Sequence, residues 1–431
     1  MEDFMEKYKV IVAHPGKQHS FRLASSLKKS GILYKYMTTI YYKNDSMLLN
    51  FLKKILSLNE KARIENRRNN DLADSDVVEL YKFRGLVEIF LARFDKSRKI
   101  YTKWQQLTSD AFGRKVARFA IKYNVDAVIN YDTNAYKCFE ILEKKAPSIL
   151  RIMDVSAANR LYMKDIYEKD FKLSGEFAKK LKEERFFLWN ENSCDRLNKE
   201  IKLAHKFLVP SNFVKESLLF SGVKEDNIKI CPYGTNFNIT TSKKNNSFHI
   251  PLKAIYVGNV TEMKGIYYLL EAFLEIPKEK VELTVVGHYD NSDGLFDRYF
   301  QHINFIGRVN HAKVKEFLDN SDIFVFPSLG EGLSLSVLEA LSCGLPCIVS
   351  KNSGANDAII DGKNGFVIDI QSQKQIKEKV LWFLENKDLI PNMRMNAINS
   401  VKEYSWDLYN IKMSTIIMDW LNEKNKKVEV L

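Results

Sequence analysis

Short unbroken apolar runs recur along the chain, each followed by a longer stretch whose apolar residues return every three or four positions. In the first half the runs are YKVIVA (8–13), DAVINY (126–131), SILRIM (148–153) and KFLVP (206–210). In the second half they are KAIYVG (253–258), VELTVVG (281–287), INFIG (303–307), DIFVFP (322–327), PCIVS (346–350) and NGFVID (364–369). A strand with one wet face alternates polar and apolar residues, whereas one covered on both faces does not. Unbroken runs with helical stretches between them therefore predict an α/β protein with doubly wound parallel sheets, and the pattern occurs twice. The polar stretch TTSKKNNSFHIP (240–251) reads as the linker between the halves. Two Rossmann-like units facing each other make a cleft at the carboxyl ends of their strands, where such sheets bind ligands.

Composition narrows the picture. A chain of 431 residues is too long for one ordinary core, and 45% hydrophobic content suffices for two. No run of 18 apolar residues is present, so no transmembrane helix is expected, and MEDFMEKYKV lacks the apolar centre of a signal peptide. Cys138, Cys194, Cys231, Cys343 and Cys347 form no CxxC pair, which points to packed thiols in a reduced, cytoplasmic protein without zinc. The net charge of +12 is uneven. Residues 1–236 hold 44 Lys and Arg against 30 Asp and Glu (+14), and residues 237–431 hold 22 against 24 (−2). A basic first half predicts an anionic partner: a phosphorylated ligand, a membrane surface or nucleic acid.

The stretch VFPSLGEGLSLSVLEALSCGLPCIVS (325–350) sets two glutamates among apolar and small residues. The strand stops at Pro327, Gly330 and Gly332 make a tight loop, and Ser334 or Ser336 can cap a helix that ends at GLP (344–346). Loop amides and a helix N-terminus hold phosphate. A carboxylate beside that phosphate suits hydroxyls instead, because it accepts two sugar O–H bonds. Ser336-x-x-Glu339 also reads as a capping box, which accounts for Glu339 with no ligand at all.

On these residues the chain resembles the retaining glycosyltransferases of the GT-B fold, family 4 (group 1). PSLGEGLSLSVLEALSCGLPCIVS carries the family's Glu-x7-Glu spacing as Glu331 and Glu339. YVGNVTEMKGIYYLLEAF (256–273), LVPSNFVKESLLFSGVKEDNIKICPYGTNF (208–237), INFIGRVNHAKVKEFLDNSDIFVFPS (303–328), DGKNGFVI (361–368) and YSW (404–406) follow in the family's order. The resemblance is densest from about 205 to 410. It implies an N-terminal acceptor-binding domain over 1–236 and a nucleotide-sugar-binding domain over 237–404. A C-terminal helix over 405–431 would pack back on the first domain.

The same resemblance assigns roles. Lys264 would bind the donor diphosphate, Glu339 the ribose hydroxyls and Glu331 the transferred sugar. Gly258 and Asn259 would border the phosphates, and Gly332 with the amides of Leu333, Ser334, Leu335 and Ser336 would hold the sugar and distal phosphate. Gly307 and Arg308 would lie beside the base. Gly16, Lys17 and His19 follow the first strand, where the family's loop approaches donor and acceptor; a cap residue at a helix start is the plainer reading of His19. In RIMDVSAANR (151–160), Met153 replaces a histidine the family often has before Asp154, leaving Asp154 to orient the acceptor or act as general base. Asn259 stands where arginine is usual, so Lys264, Arg160 or another cation would compensate. Ser334 replaces a frequent glycine, which narrows the choice of donor sugar.

The implied activity is retaining transfer of a hexose-type sugar from a UDP- or GDP-sugar to a glycan or lipid-linked saccharide acceptor in cell-surface polysaccharide synthesis, or else to a small soluble acceptor. Front-face displacement is expected, with Lys264 and the helix N-terminus carrying the developing phosphate charge. No metal and no cofactor are expected. Asp74-Ser75-Asp76 lies in a polar stretch, not at a strand end, and DGKNG (361–365) lacks the later ligands of a calcium loop. MLLNFLKKILSLNEKARIENRRNN (47–70) is a basic amphipathic pattern that fits either an anionic membrane on the inner face or the first sheet. A nicotinamide oxidoreductase is disfavoured because AHPGKQHS stands where GxGxxG belongs. A nucleic-acid binder is disfavoured for want of aromatic platforms among the basic residues.

Overall fold

The computed structural model describes residues 8–16, 19–43, 65, 67–95, 98–184, 191–235, 237 and 250–429. Lys17, nearly all of the basic pattern over 47–70 and linker residues 240–249 lie outside the described residues.

The first half builds β1 (Val10–Ala13), α1 (Ser20–Lys29), β2 (Leu33–Thr38), β3 (Val77–Glu79), α2 (Lys82–Phe94), α3 (Lys99–Lys122), β4 (Ala127–Tyr131), α4 (Tyr136–Lys145) and β5 (Leu150–Asp154). It continues through α5 (Arg160–Asp170), α6 (Glu176–Glu184), α7 (Glu191–Leu203), β6 (Lys206–Val209), α8 (Asn212–Phe220) and β7 (Ile228–Ile230). The second half holds β8 (Leu252–Val257), α9 (Ile266–Leu274), β9 (Val281–Val286), β10 (Asn304–Gly307), α10 (His311–Asp319), β11 (Ile323–Phe326) and α11 (Leu335–Ser342). β12 (Cys347–Ser350), β13 (Gly365–Ile368), α12 (Gln373–Glu385), α13 (Ile390–Ser400) and α14 (Trp406–Glu429) complete it.

The strands form two parallel sheets, ordered β3-β2-β1-β4-β5-β6-β7 and β10-β9-β8-β11-β12-β13. In each the chain winds outward one way from its first strand and then the other way, so the order reverses between β1 and β4 and between β8 and β11. A ligand crevice opens at such a reversal. Successive β1 residues serve opposite faces, as period-two geometry requires. Val10 and Val12 join a cluster with Leu23 and Leu27 of α1, and Ile11 and Ala13 join one with Phe112 and Val116 of α3. The unbroken apolar run is thus explained by two covered faces. β2, β3 and β7 escape the apolar-run reading: LYKYMT carries a lysine in its middle, and the other two are three-residue edge strands.

α14 crosses back to the first sheet. Its Tyr409, Met413, Ile417, Trp420 and Leu421, at helical spacing, enter the cluster of Val10, Val12 and α1. Ser26 Oγ lies 2.8 Å from Ser414 Oγ and donates to the Asn410 carbonyl at 2.6 Å. α5 and α6 depart from a clean split at residue 236. Met163, Ile166, Tyr167, Phe177 and Leu181 pack into the core cluster of the second sheet. Tyr268 Oη of α9 donates to the buried Asp170 carboxylate at 2.6 Å, and the Phe177 ring lies 5.6 Å from that of Tyr267. All five cysteines are buried, and none forms a disulfide.

Candidate functional site

The order reversal of the second sheet places two loops side by side: the turn after β8 and the loop after β11. The turn Glu262–Lys264 ends at Gly265, whose φ of 66° is left-handed and where a Cβ would stand 2.0 Å from the Pro327 carbonyl oxygen. Only glycine lets the turn close on the end of β11. The Met263 carbonyl then accepts from Leu329 N at 3.0 Å and from Ser328 Oγ at 3.1 Å, tying the two loops together. Glu331 N donates to the Asn352 carbonyl at 2.9 Å, and Asn352 Nδ2 donates to the Leu329 carbonyl at 2.9 Å.

On this frame Lys264 Nζ is ion-paired with Glu331 Oε1, and the ammonium also lies 5.7 Å from the Phe326 ring centroid. Both side chains are mostly buried. Eight residues on, Glu339 is carried into the interior by α11, and its Oε1 meets His311 Nε2 at 3.0 Å. Burial pushes the Glu339 carboxyl above the usual carboxylate range, and the His311 bond opposes that rise. The Ser336-x-x-Glu339 capping box is not formed: the N-cap is Ser334, Ser336 lies inside the helix, and Glu339 turns to His311; the Ser334 side chain makes no cap bond and lies 3.1 Å from Ser336 Oγ. One expected phosphate donor is corrected as well. The Ser334 amide is spent on the Ser353 carbonyl at 3.2 Å. The amides of Leu335 and Ser336, in the first turn of α11, have no acceptor within the helix.

Gly307 ends β10, and Arg308 follows it, exposed. His311, three residues on, starts α10 and is the group that reaches Glu339; the ring of Phe237 packs against it at 4.5 Å. The sequence reading missed His311, and its one signal is the three-residue offset from Arg308. A cavity of about 330 Å³ opens at the carboxyl ends of β8 and β9, lined in part by Asn259, Thr261, Lys264, His288, Tyr289 and Lys180. Lys180 comes from α6 and donates to Asp293 Oδ1 at 3.0 Å. It is a second cation on the wall that also holds Asn259.

The order reversal of the first sheet gathers a second group. Asp154, at the end of β5, is buried, and its Oδ2 lies 3.0 Å from His19 Nε2. Tyr233 Oη is 3.3 Å from the same nitrogen. His19 thus reaches Asp154 from the start of α1, a pairing between elements that no local reading shows. Gly16 N donates to His14 Nδ1 at 2.9 Å, and burial holds the His14 imidazole down at about 4. Below them, Glu200 of α7 caps α4 by accepting from Thr133 N and Tyr136 N at 2.8 Å each, and burial raises its carboxyl to about 7. Asp74-Ser75-Asp76 forms a turn held by Lys28 and Arg68, away from these groups.

Loops of the two halves touch. Ser211 Oγ donates to the Gly332 carbonyl at 2.6 Å, and a Cβ on Gly332 would stand 1.8 Å from the Ser156 carbonyl oxygen. The Lys264–Glu331 pair and the His19–Asp154 pair therefore both sit at strand carboxyl ends, on the two sides of this contact.

Residues 238–403 match the family model for glycosyl transferases group 1. An uncharacterized glycosyltransferase of Methanocaldococcus jannaschii is 30% identical over 218 residues, covering 48% of this chain and 54% of that protein. The N,N'-diacetylbacillosaminyl-diphospho-undecaprenol alpha-1,3-N-acetylgalactosaminyltransferase of Campylobacter jejuni is 28% identical over 230 residues, 49% of this chain and 59% of that one. The chain spans about half the length of the curated relatives it matches. The solved sucrose-phosphate synthase of Thermosynechococcus elongatus aligns over 97% of this chain and 100% of its own, with a TM-score of 0.66 at 14% identity. The chain as a whole has the GT-B fold, and residues 238–403 within it match the glycosyl transferases group 1 model.

Proposed function

We propose that the protein is a retaining, metal-independent glycosyltransferase. It moves a hexose-type sugar from a UDP- or GDP-sugar to a glycan or lipid-linked saccharide in cell-surface polysaccharide synthesis, working at the cytoplasmic face of the membrane. The observation that carries the reading is the meeting of Lys264 and Glu331 at the order reversal of the second sheet, with Glu339 in the second turn of α11, the helix that follows the Glu331 loop. A cation and two carboxylates at one crevice match one guest: a pyrophosphate flanked by two hydroxyl-bearing rings. The donor would part the ion pair, its phosphates taking Lys264 and its sugar hydroxyls taking Glu331. Lys264 and the first-turn amides of α11 then face the charge that grows on the leaving diphosphate. His19 and Asp154 occupy the acceptor side, where Asp154 would orient the acceptor hydroxyl. The lipid-linked acceptor is favoured by the basic first half and by the Campylobacter jejuni relative, whose name records a diphospho-undecaprenol acceptor.

The test is a panel of nucleotide sugars assayed by nucleotide diphosphate release, with Lys264→Ala and Glu331→Ala alongside. Both variants are expected to lose at least about a hundredfold in turnover, the scale of removing one transition-state charge contact. Turnover in Lys264→Ala close to that of the parent protein removes the phosphate assignment. A thermal response to NAD with none to UDP or GDP removes the glycosyltransferase reading.

A further inference from the structure

One helix of the first half has two faces with different business. Gly85 of α2 is buried against β2's end, where a Cβ would stand 2.6 Å from Thr39 Oγ1. Around it Glu88, Ile89 and Ala92 line a cavity of about 280 Å³ shared with His14, Gly16 and Arg67. At 3.6 residues per turn, Phe83, Phe90 and Phe94 fall within about 40° of one another and roughly opposite Gly85. Those three rings are 74%, 59% and 59% exposed, and Ile100 at the start of α3 is 62% exposed beside them in sequence. The Phe90 and Phe94 rings touch at 4.4 Å, and Phe83 lies on the same stripe two turns earlier. Residues 82–103 hold seven Lys and Arg against two acidic residues. Arg93 lies over the Phe94 ring at 5.6 Å and Arg98 over Tyr101 at 5.2 Å.

Exposed aromatic rings interleaved with basic side chains are the chemistry that an anionic bilayer recognises: rings enter the headgroup boundary while guanidinium and ammonium groups meet lipid phosphates. The cavity opens on the other side of the same helix, at the carboxyl ends of β1 and β2. We propose that the aromatic face of α2 with the start of α3 docks on an anionic bilayer, and that the cavity beneath receives the polar head of an acceptor held in that bilayer. In that cavity Arg67 supplies a cation for a phosphate, and Glu88 an acceptor for hydroxyls. The proposal rests on the lipid-linked acceptor reading above, and it places the contact on helices distinct from the basic pattern over 47–70.

The test is cosedimentation of the full chain with vesicles of phosphatidylglycerol and phosphatidylcholine in equal parts, and with phosphatidylcholine alone. Binding is expected on the mixed vesicles and about tenfold weaker on the neutral ones. Phe83→Ser/Phe90→Ser/Phe94→Ser is expected to bind the mixed vesicles at least about tenfold less, and Arg98→Glu/Lys103→Glu to lose the preference for anionic lipid. Met395→Ser/Ile411→Ser, which removes apolar side chains exposed elsewhere, is expected to bind as the parent does. Thermal response to UDP or GDP reports that each variant is folded and tests the donor reading separately. Unchanged vesicle binding in both the phenylalanine and the charge variants overturns the proposal. So does a dimer in sedimentation that the phenylalanine variant dissociates, because the face then belongs to a second copy. Vesicle binding that depends on the three phenylalanines, without any response to UDP or GDP, supports the docking surface and overturns the donor reading.

Discussion

Gly332→Ala separates the joining of the two halves from the binding of donor. In the structure a Cβ at this position would stand 1.8 Å from the Ser156 carbonyl oxygen and 3.5 Å from Ala157 Cα. A comfortable contact needs roughly 3.5 Å, so the loop after β11 and the loop after β5 must part by more than an ångström. Both neighbours are backbone, and neither can rotate away as a side chain would. Overpacking of this kind costs about 1–3 kcal/mol, which shifts an equilibrium between joined and parted loops by about 5–150-fold. If chemistry requires the joined state, turnover falls by that factor. Lys264 and Glu339 lie outside the displaced loop, so thermal response to the nucleoside diphosphate is expected to persist. The assay pairs steady-state nucleotide diphosphate release with small-angle scattering, where the variant should show a larger radius of gyration. Ser211→Ala is the milder companion: it removes the 2.6 Å bond to the Gly332 carbonyl and should cost about 0.5–1.5 kcal/mol. Turnover within twofold of the parent, with an identical scattering curve, refutes the idea that this contact sets the working arrangement.

Three further outcomes follow from groups already described. Glu339→Gln removes the charge that accepts hydroxyl bonds in the interior and is expected to weaken nucleoside diphosphate binding about tenfold to a hundredfold, measured by titration calorimetry, while His311→Phe changes it less than about threefold. Tyr268→Phe takes one donor from the buried Asp170 carboxylate and is expected to destabilise the fold by about 1–3 kcal/mol, read as a lower urea midpoint with an unchanged slope. His14 is held at about 4 when folded, from an ordinary value of 6.5, because burial disfavours its charged form. The unfolded chain therefore takes up a proton between those values that the folded chain refuses, and stability falls as pH falls through that window. From pH 7 to pH 5 the loss from this residue is about 2 kcal/mol; His14→Asn should remove it in denaturant titrations at the two pH values, and an equal loss in parent and variant contradicts the assignment.

The strands legible in the sequence are those whose two faces are both dry, because an unbroken apolar run needs no context to be seen. β2 was hidden by Lys35 and β3 and β7 by their shortness, since an edge strand of three residues leaves almost no pattern. Lys264 and Glu331 were legible as residues of one site through the family resemblance of their two motifs, and the strands that precede them, β8 and β11, adjoin in the sheet. The partners were not. His311 comes to Glu339 from α10, and His19 comes to Asp154 across 135 positions, and pairings between elements leave no trace in local spacing. The same holds for Ser334, whose amide is occupied by a carbonyl from the next βα connection. The packing of α5 and α6 on the second sheet was missed for a related reason: a helix with Met163, Ile166, Tyr167 and Asp170 on one stripe shows that it has a dry face, but not which sheet dries it.

The return of α14 has a consequence for how the protein is made. Its tyrosine, methionine, isoleucine, tryptophan and leucine cover a face of the first sheet whose strands begin at residue 10. During synthesis that face stays wet while some four hundred residues are added, including the entire second sheet. That face of the first sheet is thus sealed only once α14 has emerged from the ribosome, so emergence of this helix, not completion of residues 1–236, starts the final burial step of the first half.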